Sequence, residues 1–400
     1  MAHTLKPLSA THYNQSIIKD LSLVTCPPYD VINKKQEFAL KHKSPYNFCN
    51  VLLTDNGNYK ELGKRFRQWI SENILIDDAK ESLYLYEQKF KMDGKKYSRF
   101  GILTLLKMDG KGAIFPHEYT LKAPKEDRKK IIREVKANLS PIFVIAPKSL
   151  KTLAKIHEYY SKKKSFVAFK DSDGNDNKVW KINDRVTIER ICNEFDGHKL
   201  VIADGHHRFE VSYGYYKKNK NRFKDLNYIL AYVTDAQKGL VILPTHRIVS
   251  VKNIAAVMDK LREYFDIKKV DEKDLEEKLK HTKGFCFGVY HADNFHFIKL
   301  KSERILDKIF KGSVYRKLDT YLLHQFVFPI CGIEGDVQYT HNIAEAKKIA
   351  ARDKTAFILK PTALGDVFKI ANQGYRLPQK STYFYPKVSS GIVVRRFEKR

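Results

Sequence analysis

Cysteine is sparse and unpaired in this chain. Cys26, Cys49, Cys192, Cys286 and Cys331 are odd in number, scattered, and never form CxxC. That pattern supports neither a zinc site nor a disulfide framework, and it fits a reducing compartment. Long apolar runs are missing as well. No stretch approaches the roughly 20 residues of a membrane span, and the N-terminus has no apolar secretory core. A cytoplasmic protein with no membrane partner is expected. Nucleotide-binding glycine signatures are also absent: neither GxxxxGKS/T nor GxGxxG occurs, which excludes a P-loop. Acidic residues are in deficit, 46 against 74 basic ones, for a net charge of +28. Such a balance attracts anionic partners, nucleic acid among them. The lysines are nevertheless spread along the chain (129–130, 162–164, 217–218), and no basic tail stands out. Nucleic-acid faces often favour the planar fork of Arg, the minority cation here. A Lys-rich solvated surface is the favoured reading, with nucleic acid as the alternative.

What is present suffices for substantial cores: 400 residues, 43% apolar and 12% aromatic, suggest two or three domains of a mixed α/β (α+β) protein. Residues 1–50 read as irregular around CPPYDVI (26–32), with Asp30 as the cap of a helix that starts near Asn33. Periodicity then predicts a helix over 59–73 and strands over 82–91 and 99–106, which turn at Asp93 and Gly94. Next come a helix opened by Pro124, a strand over 140–146 and a helix over 149–164. The run DSDGNDN (171–177) resembles a calcium loop, but the position needing Glu is Ile182, so a hairpin turn is expected. A strand over 179–182, a helix over 187–195 and later strands over 229–233 and 240–243 surround the central stretch. From about 251 the pattern gives helices over 253–264 and 271–281, a hairpin of 285–291 with 295–300, one amphipathic helix over 314–331, and β-α-β-α-loop-β over 335–400. With no internal repeat or low-complexity linker, the expected domains, 1–250 and 251–400, rest on this change of pattern.

The central stretch is VIADGHHRFE (201–210): a buried strand, an Asp-Gly turn and the start of a helix. Gly205 permits a backbone twist and the close approach of a ligand. The helix start offers N–H groups and a positive dipole end, and Arg208 adds a guanidinium, which together suit phosphate. An ordinary connection whose polar residues cap the helix is the plain alternative. Two imidazoles and a guanidinium at one turn favour function. Three further segments carry chemistry. The cluster His117, Glu118, Thr120, Lys125, Asp127 and Arg128 is either a solvated loop or the wall of a site. It is not an HExxH metalloprotease motif, because Leu121 stands where the second His belongs. PTHR (244–247) ends an apolar strand with His246 and Arg247, as a second basic pair or as a strand end in water. LPQKSTYFYPK (377–387) brings Lys380, Ser381, Thr382 and Lys387, either an oxyanion surface or a surface loop.

Taken in order, these motifs resemble those of a family known as domain of unknown function 1015 over nearly the full length. CPPYDVI (26–32), YxYEQ (84–88), PHExT (116–120), PKxDR (124–128), ADGHHRFE (203–210), PTHR (244–247) and PQKSTYFYPK (378–387) carry the resemblance. Cys26 replaces a more usual Ala, and Phe209 a more usual Tyr. The central box alone is similar to the phosphate-binding turn of the ParB/sulfiredoxin-like superfamily, whose free serine kinases carry a comparable Asp-Gly-His-His box. That resemblance implies a ParB/sulfiredoxin-like catalytic part over 1–250, with the C-terminal α/β domain completing the site. It also implies a phosphotransferase that moves a phosphoryl group from ATP or ADP, with Mg²⁺, to the hydroxyl of a small amino acid, free L-serine first.

Phosphoryl transfer needs positioning, charge neutralisation and a carboxylate to accept the hydroxyl proton. Gly205, His206, His207 and Arg208 would hold phosphate oxygens, and His246 and Arg247 would flank the leaving phosphates. Glu118 is the expected general base with Asp204 in reserve. Asp204 or Glu210 would hold magnesium. Lys125, Arg128, Lys380, Ser381, Thr382 and Lys387 would close over the nucleotide or the substrate carboxylate. Two alternatives stay open. One is a ParB-like nucleic-acid- or nucleotide-binding protein without turnover. The other is a metal-dependent hydrolase using His117, Glu118, Asp204, His206 and His207.

Overall fold

A computed structural model describes residues 3–108, 114–116, 118–120, 122–237, 239–350 and 354–400. The chain forms two units. The first comprises 1–116, 120–241 and 386–400, and the second 117–119 with 242–385. The last residues return to the first unit because their backbone pairs there: Arg395–Arg396 with Ala137–Asn138, Ser390 with Cys26 and Val394 with Thr11.

The first unit is built on a nine-stranded mixed sheet. In chain order its strands are β1 (Leu5–Lys6), β2 (Leu83–Met92), β3 (Lys95–Lys107), β4 (Ile114–Pro116), β5 (Ile142–Ala146), β6 (Val167–Lys170), β7 (Asp176–Ile182), β8 (Leu200–Asp204) and β9 (Tyr228–Asp235). They lie in the order β4-β8-β5-β9-β3-β2-β7-β6, with β1 on β3. The pairs β8–β4 and β9–β5 are parallel and the others antiparallel. The central strands are continuous apolar runs, as strands covered on both faces must be. Ile102, Val144, Leu200 and Ala231 from four of them meet in one core with Phe195 of helix Arg185–Phe195. The Asp171 turn joins β6 to β7, its carboxylate accepting from the N–H groups of Asp173 and Asn175.

The second unit carries a six-stranded sheet whose described pairings are all antiparallel. Its strands are β10 (His246–Ser250), β11 (Phe265–Val270), β12 (Cys286–His291), β13 (Asn294–Leu300), β14 (Gln338–Thr340) and β15 (Lys354–Ile358), in the order β11-β13-β12-β15-β10-β14. Phe265, Phe285, Phe287, Phe326 and Phe357 pack as an aromatic core on one face.

Two local expectations are corrected. Asn33, not Asp30, caps helix Lys34–Lys43, in a capping box with Gln36, and Asp30 lies in a preceding 3-10 turn. The single helix expected over 314–331 is broken into Asp319–Leu322, a π turn over Leu323–Val327 and Phe328–Ile330. Pro329 has no N–H to offer the carbonyl one turn back, and the Phe328 N–H bonds to Leu323 instead.

Candidate functional site

In the first unit, β8 delivers the central box. Its register on β5 slips between Ile202 and Asp204, so Ala203 is an extra residue and Asp204 is re-aimed at the strand end. Gly205 follows at φ +89°, and a Cβ there would lie 3.0 Å from both the Arg208 guanidinium and Ile142 Cγ2. Both the backbone angle and the space demand glycine. Helix His206–Asn219 begins immediately, so His206, His207 and Arg208 form its first turn, where N–H groups have no intrahelical carbonyl.

The box is held by an ion cluster. Arg208 folds back one turn and donates to Asp204 Oδ2 at 2.6 Å and to the Pro141 carbonyl. Lys387 Nζ lies 2.5 Å from Asp204 Oδ1. All three side chains are about nine-tenths buried, at 12%, 10% and 10% exposure for Asp204, Arg208 and Lys387. Burial alone would raise the Asp204 carboxyl. The charges of Lys387, Arg208 and His206 overcome it and hold this acid well below the ordinary carboxylate range. Asp204 is therefore a weak proton acceptor. Glu210 faces a different neighbour, accepting from Lys125 at 3.0 Å and from Thr120 at 2.8 Å.

The two carboxylates expected to hold magnesium, Asp204 and Glu210, are both engaged by cations. Each lies against a lysine, and no group of three or more potential ligands occurs among the described residues. His117, named in the hydrolase alternative, lies outside the described residues. Arg128 stacks over the Tyr29 ring at 3.9 Å and donates to the Leu52 carbonyl and to Asp127. Tyr29, Leu52, Arg128 and Arg208 line a cavity of about 50 Å³, room for a water and not for a nucleotide.

The second unit holds the other predicted residues. Glu118 bridges Leu377, and its Oε1 accepts from the Lys380 N–H at 2.9 Å. Lys380 adopts φ +55°, and its carbonyl accepts from Arg247 at 3.0 Å. Arg247 is fully buried; it donates to carbonyls of Thr245 and Lys380, while its Nε has no partner. Burial pulls it down to about 10, against the pull of Tyr339 and Glu118. His246 is also buried and falls to about 3 through burial and the charges of Arg247 and His341, so it is neutral at ordinary pH. Its Nδ1 accepts from Leu359, which leaves Nε2 to carry the proton, without a partner. As placed, Arg247 braces the Lys380 backbone from inside, and His246 accepts from the Leu359 backbone. Ser381 is buried against Pro378 and Thr320, whereas Lys380 Nζ has no partner among the described residues.

A family model described as protein of unknown function (DUF1015) matches residues 5–321. The chain belongs to this family. No curated protein matches it. Among solved structures, a conserved hypothetical protein from Pyrococcus furiosus is 14% identical, covering 73% of this chain and 95% of that one at a TM-score of 0.37. Free serine kinase in complex with AMP is 12% identical, over 70% and 86% of the two chains, with a TM-score of 0.36. SbnI with a C-terminal truncation, from Staphylococcus aureus, is 11% identical over 73% and 86%, with a TM-score of 0.38.

Within this DUF1015 chain, the sequence reading missed Arg99. Its guanidinium is wholly buried, lies 4.6 Å from the Phe143 ring centroid, and donates to Gln88 and to the Pro386 carbonyl at 2.6 Å. Gln88 in turn donates to the Lys387 carbonyl at 3.1 Å. Arg99 and Gln88 thus fix the backbone from which Lys387 reaches Asp204. In the sequence it stands just before the apolar run 100–106 and after Lys95, Lys96, Tyr97 and Ser98, where a cation reads as a solvated strand end.

Proposed function

We propose that this protein is a phosphotransferase that moves a phosphoryl group from a nucleotide to the hydroxyl of a small amino acid, L-serine first. In this reading the first unit is ParB/sulfiredoxin-like. The observation that carries it is the Gly205 turn, whose N-cap has no side chain and which sets a helix N-terminus and its dipole beside Arg208 and Lys387 in a largely buried surround. Such an arrangement neutralises phosphate charge where water does not compete. The phosphates of ATP or ADP would meet the N–H groups of His206, His207 and Arg208. Lys125 would act from the neighbouring helix, and Lys380 from its own loop in the second unit, whereas Arg128 is taken up by Tyr29, Asp127 and the Leu52 carbonyl. Glu118 takes the hydroxyl proton, since Asp204 is held as a firm anion whose work is to orient Arg208 and Lys387. Magnesium would enter with the nucleotide phosphates, and no step is assigned to it.

The test is turnover by the full chain with ATP or ADP and each free hydroxyl amino acid, read by phosphorus NMR. Consumption of nucleotide that depends on L-serine and yields a phosphomonoester is expected. Glu118→Gln should lower that rate by about 10²–10⁴-fold with nucleotide binding kept. Absence of any phosphorylated product with every acceptor would remove the proposal, and a fully active Glu118→Gln would remove the assigned base.

A further inference from the structure

The segment CPPYDVI (26–32) has no part in the reading above, yet the first unit knits it to the Gly205 turn. Pro28 leads into a 3-10 turn over Tyr29–Val31, closed by the Val31 N–H on the Pro28 carbonyl at 3.2 Å. Cys26 and Ser390 exchange backbone hydrogen bonds at 2.8 and 3.3 Å. The Ser390 hydroxyl also meets that of Ser140 at 2.7 Å. The next residue, Pro141, is the one whose carbonyl accepts from Arg208. Three residues ahead of Ser390, Lys387 reaches Asp204. Tyr29 is thereby set beside the ion cluster, sharing the wall of the small cavity with Arg128, Ser140 and Arg208. The Arg208 guanidinium in turn lies within 3.0 Å of where a Cβ on Gly205 would stand.

The two ends of Tyr29 differ. Its ring is occupied, with the Arg128 guanidinium 3.9 Å from the centroid. Its hydroxyl has no hydrogen-bond partner among the described residues, and it is not sealed from solvent. Phenols set this far into a protein usually find one. Burial, and then Asp30, raise the phenol well above its usual value, against the pull of Arg128 and Arg208, so it stays a neutral donor. The nearby Asp204 is already taken up by Arg208 and Lys387. A donor is therefore poised beside the helix start, and an acceptor is what it lacks. We propose that Tyr29 is a further phosphate-binding residue, its O–H donating to a phosphate oxygen held at the Gly205 turn. This inference rests on the phosphate-turn reading above and adds a residue to it. A ring that only packs on Arg128 would be served equally well by phenylalanine; a donor to phosphate would not.

The experiment titrates ADP into the full chain at high salt, following the His206, His207 and Arg208 amides. Tyr29→Phe keeps the ring on Arg128, so its urea midpoint should match the wild type, while its affinity for ADP falls by about tenfold. In wild-type protein labelled with ¹³C at tyrosine Cζ, ADP should move the Tyr29 signal, which is assigned by its loss in Tyr29→Phe. Should the variant prove less stable, that wild-type signal decides. The inference is overturned if Tyr29→Phe binds ADP as tightly as the wild type, or if the Tyr29 signal stays still while the three amides shift. In either case the phosphate turn stands without Tyr29. Wild-type amides that do not respond to ADP would remove the phosphate-turn reading and this inference with it.

Discussion

Asp204 sits between two cations, and its removal should be felt first in stability. Asp204→Asn keeps the shape but leaves Arg208 and Lys387 buried with less negative charge beside them. Breaking one side of a buried ion cluster costs about 3 kcal/mol. The pH dependence has a defined sign. Because the folded acid is held below its unfolded value, roughly 3.9, its contribution is complete only above about pH 5. It disappears as pH falls through the lower folded value. Asp78 behaves likewise. Burial opposes its ionisation, but hydrogen bonds from His12, Lys181 and Tyr84 bring it down to about 2. Asp78 is present in both proteins, so the difference between their curves belongs to Asp204. Urea unfolding of the wild type should weaken steeply below pH 4. The Asn variant should begin weaker at pH 7 and show a flatter acid limb. Parallel curves would mean that the cluster does not hold Asp204 as described.

At the level of elements, the sequence was legible where local chemistry decides. The Asp-Gly turn, the 93–94 hairpin and the helix now seen at Tyr59–Ser71 follow from turn residues and period, with ends shifted by a residue or two. The helix after the box starts at His206, which puts the imidazoles and Arg208 inside its first turn. Two misreadings came from short-range rivals. Asp30 and Asn33 are both able to cap, and only the reach of Gln36 back to Asn33 chooses between them. Asn33→Ala should therefore cost about 1 kcal/mol, seen as a lower urea midpoint, whereas Asp30→Ala should leave that midpoint nearly unchanged. Equal losses would return the cap to Asp30. Period alone hid the π turn at Leu323–Val327, since the apolar face is continuous across it and only Pro329 marks the break. Arg99 was illegible for another reason: its partners, Gln88 and Pro386, lie on β2 and close to the C-terminus.

On the scale of the molecule, the predicted site residues fall into two sets. Lys125, Arg128, Asp204 to Arg208, Glu210 and Lys387 belong to the first unit; Glu118, His246, Arg247 and Lys380 to Thr382 belong to the second. Within the first, the Asp204–Arg208–Lys387 ion cluster lies at the start of helix His206–Asn219. Within the second, Arg247 donates to the Lys380 backbone and His246 accepts from the Leu359 amide, roles their positions at a strand end did not announce. Net charge complicates any binding experiment, because a chain of +28 attracts anions non-specifically and salt screens that attraction. The decisive measurement is thus a titration of ADP into the full chain at high salt, following backbone amide resonances. Saturable shifts of the His206, His207 and Arg208 amides, persisting as salt rises, are expected if the turn grips phosphate. Shifts scattered over surface lysine segments and abolished by salt, with those three amides unmoved, would contradict it.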